Sequence, residues 1–453
     1  MTNFTGLEIA GRIATPTDSD WEEARAAWNL AADQQPAAVA FAESAGDVAA
    51  TVRFAAEHGL RVAPQGTGHG AAPLPSLEDA ILLKTVRMRG IELDPSTARA
   101  RVEAGVLVVE LAEAAGAHGL SFMPGSSPDV GVIGYTLGGG LSWLGRRHGF
   151  ACNRVAAIEL IGADGEARTV DSANDADLFW GLRGGGGGCA IVTALHFDLL
   201  PIAEVYAGAL LFPAELGAGA LRAYRDWTET VPEGVTSIIR YLTPPDLPDV
   251  PEPIRGRPLL TIGAACIGSA EEGAAAIAPL RELGDPIIDT FAQIPAAGLC
   301  HIHMDPDHPV PGIGDGHLIG TLSDEAIDAF VALAGPDSGS PLLLSELRHL
   351  GGALGRPAQE GGALAELGAG FAMYSVGMPM AAGMDEAIRN HLAQIEETME
   401  PWIAGSYFNF TERPCDVDAI LPPETCARLA QVKRSWDPSG RILANHTVSL
   451  GEV

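Results

Sequence analysis

The chain has 453 residues, 47% of them hydrophobic, enough to bury a large core in two or three domains, so it reads as a globular protein. Asp and Glu number 58 against 28 Lys and Arg, and a field of that sign repels phosphate backbones and anionic membranes, which excludes nucleic acid as an expected partner. No basic segment followed by an apolar one opens the chain, no run is long enough to span a membrane, and Cys152, Cys189, Cys266, Cys300, Cys415 and Cys426 lack the close pairing of a zinc ribbon or redox dithiol. A cytoplasmic protein with reduced thiols is expected.

After a lead-in over 1–36, Ala37 to Pro64 reads as strand, helix, strand. Ala38 to Phe41 is a short apolar run, Ser44 can cap a helix reaching about Glu57, Gly59 ends it, and Leu60 to Ala63 is extended again. The loop Gln65-Gly66-Thr67-Gly68-His69-Gly70 follows the second strand and runs into Pro73 and Pro75, so no helix opens there as a Rossmann fingerprint requires. Strands are predicted at Ala100 to Val109, at Val155 to Ile161 with an Asp164-Gly165 hairpin into Ala167 to Val170, and at Ile191 to Leu199. Pro201 marks the expected domain boundary. From 202 to about 400 the composition turns to Ala-rich helical stretches separated by Pro-rich loops, and in the last segment, 401–453, Pro422 to Trp436 reads as a helix ended by Asp437-Pro438.

Three glycine clusters, Gly66 to Gly70, Gly125 to Gly140 and Gly184 to Gly188, each lie beside a strand signal. Glycine lets backbone amides converge on an anion without interference from side chains, so three clusters in one domain point to a phosphate-bearing dinucleotide.

His69 narrows the choice. The stretch Arg61 to Gly70 resembles the pyrophosphate loop of the berberine-bridge-like branch of the vanillyl-alcohol-oxidase flavoproteins, in which the histidine bonds to the flavin 8α-methyl group. Ser127-Pro128-Asp129-Val130-Gly131-Val132-Ile133-Gly134 with Gly138-Gly139-Gly140, then Gly149 to Val155, Leu178 to Gly185, and Tyr407-Phe408-Asn409-Phe410 with Asp437-Pro438 and Asn445, follow in that family's order. The resemblance covers about residues 37 to 449, and in size and layout is nearest to the bacterial 6-hydroxy-D-nicotine oxidase type and the actinomycete natural-product oxidases. It implies an α+β fold: a PCMH-type FAD-binding domain of two α/β subdomains over 37–201, a substrate domain over 202–400 with an antiparallel sheet flanked by helices, and a C-terminal segment returning to the FAD domain.

By the same resemblance FAD is bound by Gln65, Gly66, Thr67, Gly68, His69, Gly70, Ser127, Val130, Gly131, Gly134, Tyr135, Gly138, Gly139, Asn153, Val192 and Asn409. Doubly linked members carry a cysteine where this chain has Ser127, whose hydroxyl cannot form a thioether, so a single covalent link through His69 is expected. Val130 falls at the family's oxygen gate, where valine accompanies oxidases. Tyr135 stands where plant members often have histidine.

FAD supplies redox chemistry, and the protein must place a substrate carbon beside it and assist proton loss. Tyr407 matches the tyrosine of the family's Tyr-x-Asn segment, implying either a base or a hydrogen-bond donor to the flavin ring. A buried tyrosine resists ionisation, so the base role needs a nearby cation. In Leu342 to Gly352, strand periodicity puts Leu344, Glu346 and Arg348 on one face, where the two charges line a polar substrate cavity or form a structural salt bridge. Tyr374 is a further candidate for that cavity.

The cluster His301, His303, Asp305, Asp307 and His308 has ligand chemistry, yet its proline-rich setting reads as a solvated or substrate-facing loop, and no metal is expected. The sequence therefore predicts an FAD-dependent oxidase acting on an alcohol or amine carbon of a small molecule, a secondary metabolite, with dioxygen as second substrate, as a monomer or homodimer. A dehydrogenase or reductase of the same fold and a non-catalytic flavin-binding protein are the alternatives.

Overall fold

Strand β1 (Arg12–Ala14) pairs antiparallel with β2 (Ala38–Phe41), and β3 (Arg61–Gln65) and β4 (Ala80–Lys84) complete a four-stranded sheet in the order β1-β2-β4-β3, its last two pairings parallel. This computed structural model describes residues 3–248 and 250–448; residues 1–2 and 449–453, the extremes of the expected lead-in and C-terminal segment, lie outside the described residues. The crossover from β2 to β3 is the helix Ala45–His58. The Ser44 side chain accepts from Asp47 N at its start, and Gly59 closes it at φ 67°, a conformation costly for any residue with a Cβ. Both ends fall where the sequence places them.

A second sheet has five antiparallel strands, β5 (Ile91–Asp94), β6 (Arg99–Glu103), β7 (Val155–Ile161), β8 (Ala167–Val170) and β9 (Ile191–Asp198), in the order β5-β6-β9-β7-β8. The strand expected over Ala100 to Val109 stops at Glu103, and Val108–Gly116 is a helix instead. Val108, Leu111, Ala112 and Ala115 are buried at helical spacing, and the Glu110 carboxylate accepts from Leu107 N, so an apolar run that looked extended belongs to a capped helix.

The third sheet is antiparallel throughout. It comprises β10 (Glu204–Pro213), β11 (Val235–Leu242), β12 (Leu259–Cys266), β13 (Ile288–Asp289), β14 (Ala292–Pro295), β15 (Ile313–Ile319), β16 (Leu344–His349), β17 (Phe371–Gly377) and β18 (Ile403–Gly405). Helices Gly217–Thr228, Ala270–Arg281, Asp324–Ala334 and Met384–Met399 cover one face, burying Leu210, Tyr224, Ile239, Ile262, Phe330 and Ile388, each large apolar side chain contributing about 1.5–3 kcal/mol. The Ala-rich helices were legible, but β10 and β12 were not. They are buried on both faces, so their Ala and Gly residues show no alternation.

Candidate active site

The other face of the third sheet carries a polar row. Thr261 on β12 is opposite Arg240 on β11, Arg240 is opposite Glu346 on β16, and Glu346 is opposite Tyr374 on β17. Arg348 stands two residues along β16 on the same face, as strand periodicity predicts. Glu346 is fully buried; its carboxylate accepts from Arg348 Nε at 2.6 Å and faces His303 Nε2 at 2.7 Å. His303 Nδ1 faces Asp305 at 2.5 Å, and Asp305 accepts from the Ser127 hydroxyl at 2.5 Å. Arg240 donates to the His303 carbonyl and to Thr261 Oγ1, while its Nη1 lies 2.9 and 3.0 Å from the two ring nitrogens. Both nitrogens already face carboxylates, so the guanidinium lies against the ring rather than bonding to it.

Burial alone would raise the Glu346 carboxyl, yet Arg348 and His303, with Arg240 behind them, pull it down to about 2. Asp305 is likewise resisted by burial and held well below the usual carboxylate range by His303, Ser127 and Arg240. The loop expected to be solvated or substrate-facing thus divides. His301, Asp307 and His308 are exposed, whereas His303 and Asp305 turn inward onto Glu346. Among the described residues no three such side chains are disposed to hold a metal ion.

Tyr407 is buried, and its hydroxyl oxygen accepts from Leu141 N at 3.0 Å and from Asn409 Nδ2 at 3.2 Å. Burial pushes the phenol above its ordinary value, and the backbone N–H groups of Leu141 and Gly140, with Arg348, only partly offset it. Tyr374 donates to Glu412 at 2.5 Å, and Glu412 also accepts from Gly314 N; burial raises this carboxyl to about 7. A cavity of about 10 Å³, room for one water, lies beside Ser126, Ser142, Trp143, Arg348 and His349. Trp143 Nε1 and His349 Nδ1 have no hydrogen-bond partner among the described residues, so a water there would meet polar atoms that need one.

His69 is joined to this cluster through the loop Ser126 to Asp129. Gly68, at φ 92°, lies so close to Ala27 that an added Cβ would come within 2.9 Å of it, and Trp28 N donates to the Thr67 carbonyl, so the glycine loop closes on the N-terminal segment. The Trp28 ring stacks on His69 with centroids 3.8 Å apart, Thr67 Oγ1 lies 2.7 Å from His69 Nδ1, and Asp129 Oδ1 lies 3.4 Å from His69 Nε2. Gly70 is held through its carbonyl by Asn445. One short loop joins both halves: Ser126 accepts from Arg348, Ser127 donates to Asp305, and Asp129 accepts from Trp28 Nε1.

These residues suit a flavin dinucleotide. Gln65 Oε1, His69 Nε2 and Asp129 Oδ1 are buried without a hydrogen-bond partner among the described residues, an expensive state that a ligand relieves. An added Cβ at Gly66, Gly131 or Gly134 would meet nothing closer than 3.8 Å, so backbone there is open to a ligand. At Gly138 a Cβ would lie 1.9 Å from Asn409 Oδ1, and at Gly139, φ 115°, it would approach Tyr407, so these glycines let the Tyr407-Phe408-Asn409 segment close on the FAD half. Tyr135 donates to the Met123 carbonyl, and its own carbonyl accepts from Asn409.

Three other expected FAD contacts have protein partners in the fold. Asn153 bonds to Gly362 N and the Leu364 carbonyl, Val192 is buried in the core of the second sheet, and Val130 packs against that core while its carbonyl accepts from Val108 N. Sequence reasoning missed Trp28, Asp129, Arg240 and Glu412 and left His303 and Asp305 as loop residues. A Glu346 without an obvious counter-charge was the one signal that partners had to exist.

Such a site, with a glycine-lined loop ending in histidine and joined through Ser126 to Asp129 to a polar cluster on an antiparallel sheet, has the chemistry to hold a flavin dinucleotide. Residues 36–171 match the family model of the FAD binding domain. The chain is 26% identical over 467 residues to (R)-6-hydroxynicotine oxidase of Paenarthrobacter nicotinovorans, covering 98% of each chain. The crystal structure of 6-hydroxy-D-nicotine oxidase from Arthrobacter nicotinovorans superposes with a TM-score of 0.83 at 21% identity, covering 99% of each chain. Glucooligosaccharide oxidase of Acremonium strictum, described as carrying a 6-S-cysteinyl, 8α-N1-histidyl FAD, gives 0.80 at 23% identity, covering 98% of this chain and 97% of that one. Over almost its whole length the chain is thus similar to an FAD-dependent oxidase, its other relatives include FAD-linked oxidoreductases, and it is an enzyme. No helix among the described residues is long and apolar enough to cross a membrane.

Proposed function

We propose that the protein is an oxidase that carries FAD on a single covalent link through His69, dehydrogenates an alcohol or amine carbon of a small molecule, and returns the electrons to dioxygen as hydrogen peroxide. The observation that carries this reading is His69 itself, held by Thr67, Trp28 and Asp129 at the end of the glycine loop. Glucooligosaccharide oxidase uses both a cysteinyl and a histidyl link. Here Ser127 stands at the cysteine's expected place with its hydroxyl committed to Asp305, so one link remains.

Bound FAD supplies the two-electron redox chemistry. The chain's own residues position the substrate and move its proton. We assign proton acceptance to the anionic form of Tyr407 Oη, which burial opposes and which the donors Leu141 N–H and Asn409 Nδ2, with Arg348 nearby, favour. Glu346, drawn down to about 2, is too weak a base for the task. It instead fixes Arg348, whose guanidinium also lies 4.8 Å from the Phe410 ring, in position to bind a polar substrate group. The Tyr374–Glu412 pair forms the far end of the polar row and offers a second hydrogen-bonding group.

The decisive experiment is oxygen uptake with hydrogen peroxide detection across hydroxylated alkaloids, amines, sugars and polyketide alcohols. One peroxide per turnover supports the oxidase reading. Turnover only with an artificial electron acceptor would make the protein a dehydrogenase, and Val130→Ile, by narrowing the expected oxygen path, should move an oxidase in that direction.

A further inference from the structure

The surroundings of His69 are more ordered than anchoring alone requires. A neutral imidazole carries one proton, and its position decides which nitrogen has a free lone pair. Nε2 faces Asp129 Oδ1 at 3.4 Å, and both atoms are buried with no hydrogen-bond partner among the described residues. Nδ1 faces Thr67 Oγ1 at 2.7 Å, a hydroxyl that can donate to a lone pair and rotate away from it. The second oxygen of Asp129 accepts from Trp28 Nε1, and the same indole stacks on the imidazole at an interplanar angle of 17°. One tryptophan therefore fixes both the carboxylate and the plane of the ring, and Trp28 is fixed in turn by its backbone N–H donating to the Thr67 carbonyl.

We propose that Asp129 is a positioning residue for covalent flavin attachment: it keeps the His69 proton on Nε2, leaves the lone pair on Nδ1 to form the bond, and takes the Nε2 proton as that bond forms. The proposal rests on the reading of His69 as the attachment point. Joining Nδ1 to the 8α-methyl carbon forms one N–C bond and breaks one N–H and one C–H bond. The two protons and two electrons released pass to dioxygen, which leaves as hydrogen peroxide. Asp129 is the first acceptor of the imidazole proton and ends the reaction unchanged. Trp28 serves by holding the carboxylate in line.

The test is the rate of covalent incorporation, not the activity of the loaded enzyme. Flavin-free chain is mixed with FAD in air, samples are quenched in acid over time, and the adduct is followed by intact mass, with non-covalent FAD binding measured separately by fluorescence. Wild type should acquire one adduct, and His69→Ala none. Asp129→Asn should still bind FAD but incorporate it slower by on the order of a hundredfold, the scale of a lost general base, with partial rescue in Asp129→Glu. Wild-type rates in Asp129→Asn, or a defect that Asp129→Glu does not relieve, would overturn the proposal while leaving the His69 link intact. An unadducted wild type would instead remove the underlying reading. Should Asp129→Asn not fold, Trp28→Phe decides, because it removes only the N–H on Asp129 and keeps a stacking ring. Slowed incorporation supports the role, and unchanged incorporation contradicts it.

Discussion

Glu346 shows how a single buried charge dictates its surroundings. It is fully enclosed, and Arg348, His303 and Arg240 converge on it because an unpaired carboxylate there would not be tolerated. Replacing it by Gln leaves the Arg348 and Arg240 guanidinium groups without that counter-charge, so Glu346→Gln should lose about 3–5 kcal/mol in denaturant unfolding. Its folded-state value of about 2 lies below the ordinary 4.5, so its contribution is present above 4.5 and fades as pH falls toward 2. The substitution should therefore flatten the acid side of the stability profile.

Glu412 behaves oppositely. Burial raises it from 4.5 to about 7, so its contribution to stability is complete below 4.5 and is lost as pH rises through 7. Glu412→Gln should remove that decline between about pH 5 and pH 8, read from urea midpoints. At Tyr407, Phe removes the acceptor oxygen but keeps the ring. Tyr407→Phe should lower kcat by on the order of 10²–10⁴ with the flavin still bound; a loss below threefold would leave Tyr407 only a hydrogen-bonding role.

At the scale of elements, the helix Pro423–Trp436 ties the C-terminal segment to the FAD half. Lys433 Nζ bonds to the carbonyls of Gly188 and Ile442 and to Asp437, and Asp437 also accepts from Arg441 N and Ile442 N. Beyond it the chain docks on β3, with Leu443 N donating to the Val62 carbonyl. Asp437→Ala strands a buried ammonium and should cost about 3–5 kcal/mol in thermal or denaturant unfolding. Lys433→Met together with Asp437→Leu, which removes both charges, should cost much less.

The sequence marked this helix and its stop because Asp437-Pro438 is a local signal. Glu346 and Arg348 were legible for the same reason, through strand periodicity. Trp28 was not, because its bond to Asp129 crosses 101 positions, and neither was Arg240, which meets His303 across 63. Such pairings depend on how sheets and loops assemble, which local pattern does not encode. His303 and Asp305 were visible as chemistry but not as to which way they faced.

Across the whole molecule, three sheets bring a glycine-lined cradle against a polar row, and the loop Ser126 to Asp129 touches both. The net charge of −30 surrounds this core with self-repulsion that salt screens. Stability should therefore rise between about 10 mM and about 150 mM salt, where the Debye length shrinks from about 30 to about 8 Å, as read from thermal midpoints. A fall over that range would mean that surface ion pairs outweigh the repulsion.

Everything functional here depends on His69 bearing the flavin. Intact-mass analysis of the purified chain, followed by peptide mapping, tests this most directly. One FAD-sized adduct confined to the peptide containing His69, with the Ser127 peptide unmodified, is the predicted result. A chain of unmodified mass, or an adduct on any other residue, would contradict it.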